Sequence, residues 1–289
     1  MTKKTSPLLA GALLALLLAA LPARAALTVY EGFASTNYTA GQLSGQSPTV
    51  TGFVTNAWSG NTNISAGGAS QALTYSNIIS DNTGGSYSTA VGGKTTRAMS
   101  TILGGNGVSG TNTYYISLMM QVSTVASNNY RAFELESQFN NRNFQFGAAA
   151  DTDSINWGMR VTTATTTYLT NVSAVTAVTN ETVFAVLKLR YSSAANDDAV
   201  DLWVNPSDLS SEAGSTNFVT ISGFDFLHNS AKNIVFSSYS GTGTASWDEM
   251  RVGSTWADVT PVPEPSTVAL LGLTGIAAIA YRIRRNRRS

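Results

Sequence analysis

Glu134 and Glu136 stand two apart in Phe133-Glu134-Leu135-Glu136. On a strand, that spacing puts both carboxylates on one face. Two carboxylates on one face can act as acid and nucleophile in the hydrolysis of a glycosidic bond. They can equally pair with Arg131, Arg142 or Arg160 on a solvated concave face and do no chemistry at all.

Other chemistry has less to work with. A serine hydrolase triad needs a histidine, and the chain has one, His228, in Phe226-Leu227-His228-Asn229-Ser230 without a Gly-x-Ser-x-Gly context. With no cysteine there is no thiolate nucleophile, thiolate metal site or disulfide. Asp151 with Asp153, and the cluster Asp197, Asp198 and Asp201, could supply hard oxygen ligands to a structural Ca²⁺. Neither has the spacing of an EF-hand loop, and exposed turn aspartates explain both. No catalytic residue, metal ligand or cofactor is therefore assigned, and the chain is expected not to be an enzyme. Trp58, Trp157, Trp203, Trp247 and Trp256 could stack on sugar rings from an exposed groove, but in alternating strands tryptophan belongs more often to the core.

The charge pattern narrows the partners. Of the 17 basic residues, Lys3, Lys4 and Arg24 lie at the front and five arginines at the back. Nine basic against sixteen acidic residues then leave the segment 26–260 at −7, which opposes binding to nucleic acid. Only 12% of the chain is charged, and Thr, Ser, Asn, Gly and Ala fill the gap, a composition suited to short strands and polar turns.

The elements that would carry these residues are strands. Apolar and polar residues alternate over Tyr114 to Val122, Arg131 to Ser137, Asn143 to Gly147, Ile155 to Thr162, Thr182 to Tyr191, Ala199 to Asn205, Ile234 to Tyr239 and Trp247 to Val252. Eight or more such strands predict an all-β, two-layer antiparallel sandwich. In the fifth, Val183, Ala185, Leu187 and Leu189 face one side and Phe184, Val186, Lys188 and Arg190 the other, which predicts a central strand covered on both faces over its first half. The stretch 41–110 is rich in Gly, Ser, Asn and Thr and predicts long loops and edge strands rather than a separate domain.

Both ends read as targeting segments. Lys3 and Lys4 precede an apolar run from Leu8 to Leu21, and Ala23-Arg24-Ala25 places small residues where signal peptidase needs them, so residues 1–25 are expected to be a signal peptide cleaved after Ala25. At the other end, the 14 residues Val268 to Tyr281 carry no charge. As a helix they reach about 21 Å, short of a hydrocarbon core of roughly 30 Å. Arg282, Arg284, Arg285, Arg287 and Arg288 follow, able to snorkel into headgroups and to hold that end in the cytoplasm. Prolines at 261, 263 and 265 keep the approach to this helix extended and accessible.

Pro263-Glu264-Pro265, then Ser266-Thr267, an Ala-, Leu- and Gly-rich helix and the arginine cluster resemble the PEP-CTERM sorting signal element by element and in order. The resemblance implies that 261–289, with its transmembrane helix at about 267–281, is read by exosortase, a membrane-embedded, cysteine transpeptidase-like enzyme. That enzyme would remove the helix after a transient stay in the inner membrane and pass the protein to the cell surface.

The middle, 26–260, has its own likeness. Tyr30-Glu31-Gly32-Phe33, Thr113-Tyr114-Tyr115-Ile116-Ser117, Asp201-Leu202-Trp203-Val204-Asn205-Pro206 and Trp247-Asp248-Glu249-Met250-Arg251-Val252-Gly253 resemble laminin-G-like, concanavalin-type jelly rolls. That likeness implies a curved two-sheet fold used for protein or glycan contacts and sometimes for glycoside hydrolysis, and the fold alone does not choose among these. Laminarinase-type hydrolases of this shape share a Glu-x-Asp-x-x-Glu pattern. Here Glu136 takes the second position and Phe139 the third, which carries no acid. The expectation is an exported surface or extracellular-matrix protein with an adhesive or structural sandwich. A lectin-like module for extracellular polysaccharide is the alternative, and a laminarinase-type hydrolase a more remote one.

Overall fold

Thr182–Ser192 forms strand β12, and its alternation is realised as read. Val183, Ala185, Leu187 and Leu189 lie in the main core, while Phe184 and Val186 lie in a second, smaller cluster on the opposite face. The structure, a computed structural model, describes residues 27–261 except 61–63, 68–71, 77, 79–83, 89–92, 105–110, 126–130, 138–141, 149–154, 165–166, 227–229 and 239–242. The expected signal peptide with Ala23 and Ala25, the Pro263-Glu264-Pro265 motif, the helix about 267–281 and the terminal arginines fall outside the described residues. So do His228, Asp151 and Asp153. Among the described residues, no helix is long and apolar enough to cross a membrane.

Fifteen further strands accompany β12: β1 (Val29–Glu31), β2 (Gly41–Gln42), β3 (Ser59–Gly60), β4 (Ile64–Ala66), β5 (Ser86–Ser88), β6 (Gly93–Gly104), β7 (Thr111–Val122), β8 (Arg131–Glu136), β9 (Arg142–Ala148), β10 (Asn156–Ala164), β11 (Thr167–Thr176), β13 (Asp198–Val204), β14 (Phe218–Phe224), β15 (Ser230–Ser238) and β16 (Ala245–Gly253). They build two antiparallel sheets. One runs β14-β13-β12-β7-β16-β5-β4-β2, with β1 also pairing β16, and the other runs β11-β10-β9-β8-β15-β6-β3. This is the expected two-layer jelly-roll sandwich.

All eight strands read from the alternation are present. The stretch 41–110 departs from expectation at β6, a twelve-residue strand that pairs β15 inside the seven-stranded sheet. The short strands β2 to β5 do sit at and near sheet edges, as its composition predicts.

The core fills the gap between the sheets with side chains from alternate positions, including Phe133, Phe144, Phe146, Trp157, Phe236 and Trp247. All five tryptophans are buried, between 0 and 7% exposed, so none offers a face to solvent. Inside this core Glu31 accepts from the Tyr38 hydroxyl and the Phe33 N–H, with the Arg97 guanidinium 3.8 Å away. The Tyr30-Glu31-Gly32-Phe33 landmark thus carries a buried charge.

The outer face of the nine-stranded sheet has its own cover. Tyr115, Met119, Phe184, Val186 and Trp203 pack under Leu73, Ile78 and the helix α1 (Trp256–Val259). Thr255 caps α1, accepting from the Asp258 N–H, while the Asp258 carboxylate accepts from the Thr255 N–H, so both orphan donors are met reciprocally. Trp256 Nε1 donates to the Leu209 carbonyl at 2.9 Å and Ser117 Oγ to the Val259 carbonyl at 2.6 Å, which ties the chain's exit to the sheet.

Candidate functional site

Phe133 and Leu135 point into the core, so Glu134 and Glu136 share the outer face of the seven-stranded sheet, as their spacing predicts. Register extends this face sideways. Glu134 of β8 lies opposite Gln145 of β9, Gln145 opposite Arg160 of β10, and Arg160 opposite Thr170 of β11. At the usual strand spacing, the row from Glu134 to Arg160 spans about 10 Å. On the other side Asn233 of β15 lies opposite Glu136.

This face is not the solvated one the sequence predicts. Glu134 is 0% exposed, and Glu136 and Gln145 are each 1% exposed. The cause is position: β8 is the middle strand of seven and β9 its neighbour, so both are flanked by side chains on each side. Lys94 Nζ, from β6, donates to Glu136 at 2.6 Å, a partner that the spacing of the glutamates does not reveal. Ser237 Oγ donates to Glu134. Arg131 reaches the Gly243 carbonyl at 3.2 Å, and burial lowers its pKa.

Gln145 is the exception in this row. Both its Nε2 and its Oε1 are buried without a hydrogen-bond partner. Beside it the Arg160 guanidinium lies 5.4 Å from the centre of the Tyr168 ring, and Tyr168 is 42% exposed at the rim. A buried amide carrying both a donor and an acceptor costs about 1–3 kcal/mol when left unpaired. The carboxylates, by contrast, act as acceptors for Lys94 and Ser237, and the sequence carries no acid at Phe139, the third position of the hydrolase pattern.

Of the aspartates read as possible Ca²⁺ ligands, the three described ones, Asp197, Asp198 and Asp201, have protein partners. Asp198 accepts the Ser192 and Phe226 N–H groups at 2.7 and 2.8 Å. Asp201 pairs with Arg190 at 2.8 Å and accepts from Thr220 Oγ1 at 2.7 Å. Asp197 accepts from Ser192 Oγ at 3.0 Å. Among the described residues, no group of three His, Cys, Asp or Glu side chains is arranged to hold a metal ion.

Sequence reasoning passed over Gln145. The signal was there in Asn143-Phe144-Gln145-Phe146, where two core phenylalanines force the glutamine outward, but its neighbours in the row come from segments far apart in sequence.

Beyond the sandwich, residues 261–285 match the family model described as the PEP-CTERM protein-sorting motif. The chain carries that sorting motif. No curated protein matches the chain. Among solved structures, it is similar to the binding domain of botulinum neurotoxin serotype D, with 12% identity over 76% of this chain and 49% of that one and a TM-score of 0.45. The chain thus spans about half the length of the neurotoxin domain. It is also similar to the T. cruzi calreticulin globular domain, with 10% identity over 90% and 99% and a TM-score of 0.45. A third likeness is to the Ca²⁺/Man3GlcNAc-bound VIP36 exoplasmic/lumenal domain, with 9% identity over 67% and 84% and a TM-score of 0.37.

Proposed function

We propose that this is an exported cell-surface or extracellular-matrix protein whose β-sandwich, residues 26–260, is displayed after processing at both ends and makes adhesive or structural contacts without catalysis. Signal peptidase removes residues 1–25 after Ala25. The helix about 267–281 then holds the precursor in the inner membrane, with Arg282 to Arg288 on the cytoplasmic side. Exosortase reads Pro263-Glu264-Pro265 and releases the sandwich.

The observation that carries this proposal is the abutment of fold and signal. Thr260, which caps α1, is 3% exposed, and the match to the sorting motif begins at the next residue, 261. Intact mass of the forms recovered from membranes and from released envelope material of the native host tests it. A released species running from near Ala26 to near Pro265 is the expected result. A membrane species still carrying Arg288, with no released counterpart, overturns it.

A second role, carbohydrate binding, rests on the unpartnered Gln145 amide in the Glu134-Gln145-Arg160 row, which a glycan reaches only when the row opens, since Gln145 is 1% exposed. A glycan array tests this directly: retention of a polysaccharide by the wild type that is lost in Gln145→Ala supports it, and equal retention by both excludes this face. Glu134→Gln separates the remote hydrolase from either role, because product release that disappears in this variant while retention persists means catalysis.

A further inference from the structure

α1 is the last described element of the fold, and the match to the sorting motif begins two residues after it. A helix of four residues does not hold itself, because its nucleus fixes several residues for a single hydrogen bond. What holds α1 is the sheet beneath it. Trp256 and Val259 enter the apolar cluster on the outer face of the nine-stranded sheet. Ser117 Oγ of β7 bonds the Val259 carbonyl, and Thr255 caps the first turn. Asp258 sits against Gly253, the last residue of β16, where an added Cβ would collide with the Asp258 Cβ. Docked in this way, α1 fixes the chain as far as Thr260, whose hydroxyl donates to the Trp256 carbonyl at 2.9 Å.

That leaves little chain for a processing enzyme. Thr260 to Pro263 is three residue steps, about 10 Å when fully extended. Pro265 to Val268, where the uncharged run begins, is three more. An enzyme that grips Pro263-Glu264-Pro265 therefore has to approach the sandwich to within about the spacing of two packed sheets. Undocking α1 changes the reach. β16 ends at Gly253, so residues 254–260 then join the tether, and these residues add roughly 25 Å.

We infer that α1 is an autoinhibitory contact that controls the release of its own chain: docked, it holds Pro263-Glu264-Pro265 too close to the sandwich to be seated in exosortase, and its local undocking frees the motif. This control presupposes that exosortase reads the motif, as proposed above, and adds what sets the rate. A terminal segment held by two apolar side chains and a few hydrogen bonds opens while the sheets stay folded. Where closing outpaces cleavage, cleavage follows the population of the open form. After release α1 docks again and covers the outer face of the sheet.

Pulse-chase conversion of the membrane precursor to the released form, followed in the native host, tests this with full-length chains. They are the wild type, Thr255→Ala, a chain with a spacer of about ten Gly and Ser residues between Thr260 and Pro261, and a chain with both changes. Thr255 is exposed, so Thr255→Ala removes the cap and no core atom. The expected result is release several-fold faster for Thr255→Ala than for the wild type, and faster still with the spacer. Once the spacer is present, Thr255→Ala adds nothing, an outcome that general misfolding does not produce. Trp256→Ala accelerates the chain without the spacer more than Thr255→Ala does. Release at the wild-type rate in Thr255→Ala and in the spacer chain overturns the inference and leaves the reading by exosortase standing. Acceleration by Thr255→Ala that persists with the spacer also overturns it. A precursor that stays uncleaved in every chain overturns the reading by exosortase, and this control falls with it.

Discussion

Glu31 of β1 and Arg97 of β6 face each other across the sandwich, 3.8 Å apart, with side chains 0 and 1% exposed. The two sheets are thus joined by a charge pair as well as by apolar contact. Burial first, then the Glu31 charge, push the Tyr38 phenol far above its ordinary pKa, so Tyr38 remains a proton donor to Glu31. Breaking a buried pair from one side strands the other charge. Glu31→Gln is expected to cost about 3–5 kcal/mol. The double variant Glu31→Gln/Arg97→Met should recover much of that loss, because no unpaired charge remains. Urea unfolding of the full chain measures both, and a double variant no more stable than the single would show that the pair is not the unit.

Trp256 closes the outer face of the nine-stranded sheet. Its ring meets Trp203 edge-on at 5.2 Å, and its Nε1 donates to Leu209 in the 205–217 connection. Trp256→Ala removes a 7% exposed side chain, a change worth about 3–5 kcal/mol where the site cannot collapse. Because α1 lies at the end of the fold, the loss should appear as local opening. Hydrogen exchange should therefore speed up at the Asp258 and Thr260 amides while β7 and β12 keep their protection. Uniform loss across the sheet would mean that α1 is integral to the global unfolding unit.

The fold was legible where one face is apolar and the other is not. β12 alternates cleanly because each of its faces meets a different core cluster. β6 was missed because Thr95 and Arg97 occupy inward positions, and a buried arginine breaks the period that betrays a strand. β11 was missed because an edge strand rich in Thr, Asn and Ser has nearly the same polarity on both faces. The candidate site was half legible: Glu134 and Glu136 follow from spacing, but Gln145 and Lys94 join them only through register between distant segments. Their burial comes from β8 being the central strand, which no local pattern encodes.

Acid should loosen the 205–217 connection through Glu212. Burial raises its pKa, but hydrogen bonds from Lys188 at 2.7 Å and Tyr115 at 2.5 Å outweigh that and hold it below the ordinary value. A carboxylate whose folded pKa is depressed contributes stability above its unfolded pKa and loses it as pH falls through the folded one. For a partly exposed pair the amount is about 1 kcal/mol, lost as pH drops below roughly 4.3. Lys188 works at the other limb. Burial lowers its pKa, yet the bonds to Glu212 and Tyr115 raise it overall, so its contribution holds below roughly pH 10.4 and fades as pH rises through the higher folded value. Glu212→Gln should flatten both limbs of the urea midpoint against pH, and an unchanged acid limb would remove Glu212 as its source.

Gln145 separates stability from binding most sharply. Its amide is buried at 1% exposure and lacks a hydrogen-bond partner on either atom, and it stands between Glu134 and Arg160. Methionine has nearly the same length and shape and asks for no partner. Gln145→Met should therefore raise unfolding stability by about 1–3 kcal/mol, the desolvation cost of an unsatisfied polar group. If the face binds a glycan, the same change removes a side chain with both a donor and an acceptor to give, so retention on a polysaccharide column should fall while the urea midpoint rises. A lower midpoint would show that the amide is satisfied in solution and that the row is a structural network. A higher midpoint with retention unchanged would place any glycan contact elsewhere on the sandwich.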